Sequence, residues 1–429
     1  MAARTLAEWL TLQESVHPKS IDMGLARVAS VARTLGVDKS RSPVITVGGT
    51  NGKGSTVAHL EAFCRGAGAR TGMFTSPHFL RYNERIQVAA AEVTDEELVA
   101  AFECIEQARG ATTLTFFEFN LLAALVIFAA RAVDVAILEV GLGGRLDAAN
   151  LVDADVGIVC SVGFDHRDYL GDTLDLIGAE KAGIFRAGRP AVLGTADMPS
   201  SVYQAIASLE ARPIVAGKDF NFQVNDADPR WSYKGLSLAW QDLPPSALPG
   251  SIQYVNAATA LAAIEALGGV DLNERVVAHA LRTVKLPGRF QTVMVESADG
   301  RCVEWILDIA HNEPAAAIFA THVAERAVGS SGRTFAVVGI LGDKDAAAIA
   351  RIVDPVVDHW ILCSLDGPRG TSAADLRQRM QLPGPKVTLA ASVEEGCTVA
   401  RATAKPGDRV LVFGSFHTVG PALRWLGLY

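Results

Sequence analysis

Short runs of β-branched and apolar residues alternate along the chain with segments whose apolar positions recur at helical spacing. Val44–Val47 reads as a buried strand and Ser55–Arg65 as the helix after it. A strand at Thr71–Thr75, helices from Thr94 and from Phe117, and a strand at Val135–Val140 follow. Val156–Ser161 is a further strand, ahead of a helix around Thr173–Ala182. Apolar strands separated by helices predict a mainly parallel sheet covered on both faces. Between about Lys218 and Leu248 the pattern changes. Trp231, Tyr233 and Trp240 lie among turn residues, and Pro244, Pro245 and Pro249 close the stretch, which predicts a small antiparallel excursion. Helices over Asn256–Leu267 and Glu274–Thr283 lead to Leu286–Phe290. The alternation then restarts with a strand at Cys302–Asp308, a helix from Pro314, and strands at Phe335–Ile340, His359–Ser364 and Arg409–Phe413. Two α/β domains are expected, a larger one over residues 1–295 and a smaller one over 296–429.

Composition agrees with that division. A chain of 429 residues is too long for one ordinary core. Its 49% hydrophobic and 20% charged residues exclude a disordered chain. A net charge of −8 points away from nucleic acid or an anionic membrane as the main partner, although a local basic pocket can still hold an anion. Met1–Gln13 has one Arg, one Glu and no long apolar block, so it does not read as a signal peptide. The longest apolar run, Leu121–Ala130, is about half a bilayer span and reads as a core helix. The cysteines at 64, 104, 160, 302, 363 and 397 are far apart with no CxxC spacing, the pattern of free thiols in a reducing cytoplasm.

The strongest local motif is Gly48-Gly49-Thr50-Asn51-Gly52-Lys53-Gly54-Ser55, set between a strand and a helix. Its glycines let backbone N–H groups turn toward phosphate oxygens. The helix N-terminus adds a favourable dipole, and Lys53 brings a point charge to the outer phosphates. The bland alternative is a glycine-rich turn without a ligand. In the usual loop a Ser or Thr follows the Lys directly, whereas here Gly54 intervenes before Ser55. A metal-binding hydroxyl must therefore come from a shifted Ser55 or from elsewhere. With this loop the first domain reads as a P-loop NTPase-like α/β domain, and the second as Rossmann-like.

Other candidates cluster at predicted strand ends, where open α/β sheets collect ligands. Glu139 ends an apolar strand and leads into Gly141-Leu142-Gly143-Gly144-Arg145-Leu146-Asp147. A buried carboxylate needs a partner, either a hard cation such as Mg²⁺ or a nearby Arg. Asp165-His166 follows another strand, and His166 alone reads as a loop or supporting residue. Ser76 in Thr75-Ser76-Pro77-His78 could supply the missing hydroxyl, or the segment is a Pro-stiffened turn. Lys181 near a helix C-terminus reads as ordinary.

Taken together, these strings resemble the folylpolyglutamate synthases, and specifically the bacterial bifunctional dihydrofolate/folylpolyglutamate synthases within the Mur ligase superfamily. The matching strings run nearly end to end: Ser20-Ile21-Asp22-Met23-Gly24-Leu25, Thr50–Ser55, Thr75–His78, Arg81–Arg85, Thr115–Glu118, Glu139–Asn150, Asp165-His166, Glu180–Gly183, Pro287-Gly288-Arg289, Asp308–Asn312 and Gly414-Ser415. The resemblance implies an ATP- and Mg²⁺-dependent ligase, a monomer, that joins L-glutamate to dihydropteroate and to reduced folates. It implies that Thr50, Asn51, Gly52, Lys53, Gly54 and Ser55 hold ATP phosphates, with Asn256, Arg289 and Asp308 also contacting the nucleotide. Ser76 and Glu139 would bind one Mg²⁺, and Glu139 with His166 a second. Lys181 matches a lysine that the family carries as a carbamate. Asp22, Met23, Gly24 and Leu25 match pteroate-binding positions, as do Thr115, Phe116, Phe117 and Glu118, and Leu146, Asp147 and Ala148. His311 and Ser415 match positions associated with the incoming glutamate.

Three rival readings fit less of the chain. A muramyl-type ligase shares the loop but needs a UDP-sugar-binding domain ahead of it, and only 47 residues precede Gly48. A nucleotide switch or kinase leaves the second domain unused. A non-catalytic folate binder has no need of Lys53, Glu139 and His166 together.

Overall fold

A computed structural model of the chain describes residues 4–19, 21–225, 228–296, 300, 302–326 and 332–429; Ser20, in one matching string, falls outside them. The chain forms two compact units, Met1–Ala247 with Ser251–Lys285, and Leu248–Gly250 with Leu286–Tyr429. The division thus falls at Lys285/Leu286 rather than near residue 295. The physical reason is Gln291–Glu296, a strand that pairs antiparallel with Cys302–Asp308 along its whole length and so belongs to the second sheet.

In the first unit the strands run, from one edge to the other, Ala91–Glu92, Ile86–Val88, Thr71–Phe74, Val135–Glu139, Val44–Gly48, Val156–Val159, Pro190–Leu193 and Arg212–Val215. All pairings are parallel except the two at the Ile86–Val88 edge. The central strands are buried along their whole length, because helices cover both faces and leave no side for polar residues. Helix Phe116–Ala130 is apolar nearly all round and accordingly buried; Thr115 and Glu118 close its N-terminus as a reciprocal capping box. The excursion after Lys218 is a three-stranded antiparallel sheet, Ala239–Leu243 against Trp231–Lys234 against Asn221–Val224. Pattern reading missed helices Leu6–Val16 and Ala26–Leu35 and the short strands at both sheet edges.

The second unit has strand order Gln291–Glu296, Cys302–Asp308, Arg409–Phe413, Thr334–Val338, His359–Cys363, Val387–Ala390, parallel but for the first. Phe290, Phe319, Trp360 and Phe413 form its core. All six cysteines are free thiols, and no described helix is long and apolar enough to cross a membrane.

Candidate active site

Register in the first sheet decides what meets at its rim. Val47 lies opposite Glu139, Gly48 opposite Val159, and Phe74 opposite Leu138. The glycine loop, Ser76, Glu139 and the segment to Asp165-His166 therefore leave four neighbouring parallel strands at their carboxyl ends. The Ser76 backbone N–H donates to Glu139 Oε2 at 3.1 Å. Arg85, itself buried, feels the Glu139 charge, while its Nε–H donates to His78 Nδ1 at 2.7 Å.

The loop is pinned from one side. Thr50 N–H donates to the Ser161 carbonyl (2.8 Å), Asn51 N–H to Ser161 Oγ (3.1 Å), and Thr50 Oγ1 exchanges hydrogen bonds with Gly163. Gly52 caps helix Lys53–Gly66 at φ 89°, and a Cβ there would lie 2.9 Å from Asn256 Oδ1. Only glycine suits that position. No side chain caps this helix, so its first N–H groups remain free to meet an anion, which fits a phosphate. Lys53 Nζ presently donates to the carbonyls of Gly49 (2.9 Å) and Thr50 (3.2 Å), beside that helix end.

Lys181 lies in the last turn of helix Leu174–Ala182 and is buried. Burial, then repulsion from Lys53, lowers its pKa from 10.5 to about 7, against the pull of Asp165, Cys160 and Asp147. Asp147 goes the other way: burial pushes it up to about 6, although backbone N–H groups and Lys53 favour its charge. Its oxygens accept from Leu142 N–H (2.8 Å) and Ala149 N–H (2.9 Å), so it holds the glycine-rich turn together. Arg145 ties that turn to Glu180 beside Lys181, at 2.8 Å.

His166 begins the short helix Arg167–Leu170 at φ 51°, its Nε2 3.9 Å from Asp165 Oδ1. Among the described residues, no three His, Cys, Asp or Glu side chains surround one point as a metal cage. A hard ion held by Ser76 and Glu139 would complete its shell with phosphate oxygens and water, as Mg²⁺ commonly does.

The three segments matched to pteroate binding also meet. Gly24 N–H donates to the Leu146 carbonyl at 3.2 Å. Arg27 donates to Asp22 Oδ2 (2.6 Å), the Asp22 carbonyl (2.7 Å) and Glu118 Oε1 (3.2 Å). Met23 approaches Gly143, and the Phe117 ring packs over Gly141. Thr115 and Glu118 cap the helix that follows, which a Thr-x-x-Glu ahead of an apolar run signals in sequence. Sequence reasoning missed Arg27 and His17, whose partners are set by tertiary contact.

In the second unit Asp308 lies opposite Phe413, so Asp308 and Ser415 leave adjacent strands at one rim. Asp308 accepts from Phe290 N–H and Ala310 N–H, both at 2.8 Å. Burial raises its pKa, opposed by Arg289. The Arg289 guanidinium lies 5.7 Å from the Phe416 ring, next to Ser415, which caps the helix Phe416–Trp425. His311 Nδ1 meets the Ile309 carbonyl at 2.7 Å, so that nitrogen carries the proton.

A strand–glycine loop–helix rim beside a buried Glu and Lys, followed by a second α/β unit, defines an ATP-dependent ligase of the Mur type. Residues 47–264 match the Mur ligase middle domain, and residues 288–416 the Mur ligase glutamate ligase domain. The dihydrofolate synthase/folylpolyglutamate synthase of Escherichia coli K12 is 43% identical over 97% of this chain and 94% of its own. Among solved structures, E. coli FolC in complex with DHPP and ADP superposes with TM-score 0.92 at 41% identity, covering 100% of this chain and 99% of that one. A bifunctional folylpolyglutamate synthase/dihydrofolate synthase with Mn, AMPPNP and L-glutamate bound gives 0.90 at 39% identity, with 100% and 99% covered. This chain belongs to the dihydrofolate synthase/folylpolyglutamate synthase family.

Proposed function

We propose that the chain joins L-glutamate to dihydropteroate, giving dihydrofolate, and to reduced folates, giving folylpolyglutamates, with ATP and Mg²⁺, through an acyl phosphate. The observation that carries the reading is the register that sets the phosphate loop, Ser76, Glu139 and the Asp165-His166 segment at one rim, beside Lys181. The family relatives with DHPP, ADP, AMPPNP and L-glutamate bound support it.

A carboxylate and an amine do not condense in neutral water, because the departing oxygen is a poor leaving group. Phosphorylation of the carboxylate by ATP releases ADP and gives an acyl phosphate. The glutamate α-amine then attacks the carbonyl, and phosphate leaves from the tetrahedral intermediate as the amide forms. Lys53 and the N–H groups at the start of its helix would hold the outer phosphates, with Thr50, Asn51, Gly52, Gly54 and Ser55 shaping the loop. Ser76 and Glu139 would hold one Mg²⁺, and Glu139 with His166 a second. The ion's chemistry is to neutralise charge on the transferring phosphoryl group. A lysine amine that is partly neutral at pH 7 can add CO₂ with loss of a proton. Lys181 would thereby become a carbamate anion, and its repulsion with Lys53 would turn into attraction. Asn256, Arg289 and Asp308 would contact the nucleotide, and His311 and Ser415 the incoming glutamate. The Asp22–Leu25, Thr115–Glu118 and Leu146–Ala148 segments would hold the pteroate. The free cysteines suit a cytoplasmic enzyme, and we propose that it acts as a monomer.

The test incubates purified protein with ATP, Mg²⁺ and labelled glutamate, offering dihydropteroate and tetrahydrofolate separately and identifying products by mass. Both are expected to gain glutamate. Extension of tetrahydrofolate alone would reduce the reading to folylpolyglutamate synthesis, and ADP release indifferent to glutamate would sink ligation.

A further inference from the structure

We propose that Arg27 is a positioning residue that assembles the dihydropteroate pocket, and that its loss impairs dihydropteroate more than reduced folate. The inference rests on the assignment of the three segments around Asp22, Thr115 and Leu146 to the pteroate. Arg27 lies in the first turn of helix Ala26–Leu35. Its Nη1 donates to Asp22 Oδ2 at 2.6 Å, and its Nη2 to both the Asp22 carbonyl (2.7 Å) and Glu118 Oε1 (3.2 Å). The second Glu118 oxygen is held by Thr115 N–H at 2.7 Å. The Asp22 carboxylate also meets His17 Nε2 at 3.1 Å, and His17 Nδ1 meets Thr113 Oγ1 at 2.9 Å. Gly24, two residues on from Asp22, bonds to Leu146. One guanidinium thus fixes the first and second segments to each other, and the first is fixed to the third by backbone.

The guanidinium geometry marks this as orientation rather than simple stabilisation. The planar fork reaches two carboxylates and a carbonyl at once, which a lysine ammonium on a flexible stem does not reproduce. The Arg27 Nε–H is buried and meets no acceptor from the chain. Dihydropteroate offers the enzyme a flat ring system and one benzoate, so the pocket walls must orient it. A reduced folate carries a glutamate tail as a further handle and depends on those walls less.

The test compares wild type, R27M and R27K for KM and kcat with each acceptor, and for the KM of ATP. In R27M the KM for dihydropteroate should rise about tenfold or more, the loss expected of one charge-assisted hydrogen bond. The rise for tetrahydrofolate should be smaller, and the KM for ATP unchanged. R27K should also be impaired, since charge without the fork does not suffice. An unchanged KM for dihydropteroate, or an equal rise for ATP, overturns the proposal. Should R27M not fold, R27K is decisive, and wild-type dihydropteroate affinity in R27K, measured by calorimetry without ATP, overturns it. Wild-type enzyme that fails to ligate glutamate to dihydropteroate overturns the functional reading itself, an outcome distinct from ligation that ignores Arg27.

Discussion

Lys181 gives the site a measurable pH signature. Its pKa falls from 10.5 in the unfolded chain to about 7 in the fold, by burial first and by Lys53 second. Below pH 7 both states carry the proton, and the native state bears the full penalty. At about 1.4 kcal/mol per pKa unit that is roughly 5 kcal/mol. Between pH 7 and 10.5 the unfolded state binds more protons than the native one, so stability rises with pH and the penalty fades. At pH 9 it has shrunk to about 2 kcal/mol. Replacing Lys181 by Met removes the titration and keeps an unbranched apolar side chain. Urea unfolding of both proteins at pH 6 and pH 9, in CO₂-free buffer, isolates the effect, because ionisations remote from Lys181 cancel between them. The stability gap, mutant minus wild type, should be about 3 kcal/mol larger at pH 6 than at pH 9. A gap that is the same at both values, or larger at pH 9, would refute the claim that Lys181 sits buried beside another cation.

Lys53→Ala should nearly abolish turnover while leaving the unfolding midpoint close to wild type, since among the described residues Lys53 Nζ hydrogen-bonds carbonyls of its own loop; unchanged ligation would remove the phosphate-loop assignment. Gly52→Ala places a methyl 2.9 Å from Asn256 Oδ1 at φ 89°. It should destabilise the loop by about 1–3 kcal/mol and raise the KM for ATP, read by initial rates against ATP concentration. Glu139→Gln should leave the fold intact and shift the Mg²⁺ dependence of ligation to concentrations about tenfold higher or more. A superimposable Mg²⁺ titration would remove Glu139 from the metal site.

Much of the fold is legible in the pattern because its central strands are apolar throughout and bounded by recognisable helices. Glu274–Thr283, Cys302–Asp308 and Arg409–Phe413 match the expected bounds to the residue. The edge strands escape because Ile86–Val88 and Ala91–Glu92 are short and half polar, and pairing alone makes them strands. The phosphate loop is legible because its chemistry is local: glycine, lysine and helix start lie within eight residues of one another. Lys181 is opaque. A lysine late in a helix is ordinary in sequence, and only packing reveals that it is buried near Lys53. Arg27 is opaque for the same reason, since its partner Glu118 is remote in the chain and reaches it only through the fold.

Phosphoryl transfer to the acceptor's carboxylate is the step on which the whole mechanism turns. Dihydropteroate labelled with ¹⁸O in both carboxylate oxygens, incubated with ATP, Mg²⁺ and glutamate, should yield inorganic phosphate carrying one ¹⁸O for each dihydrofolate formed. Unlabelled phosphate accompanying full product formation would contradict an acyl phosphate, and with it the roles proposed for Lys53, Ser76 and Glu139.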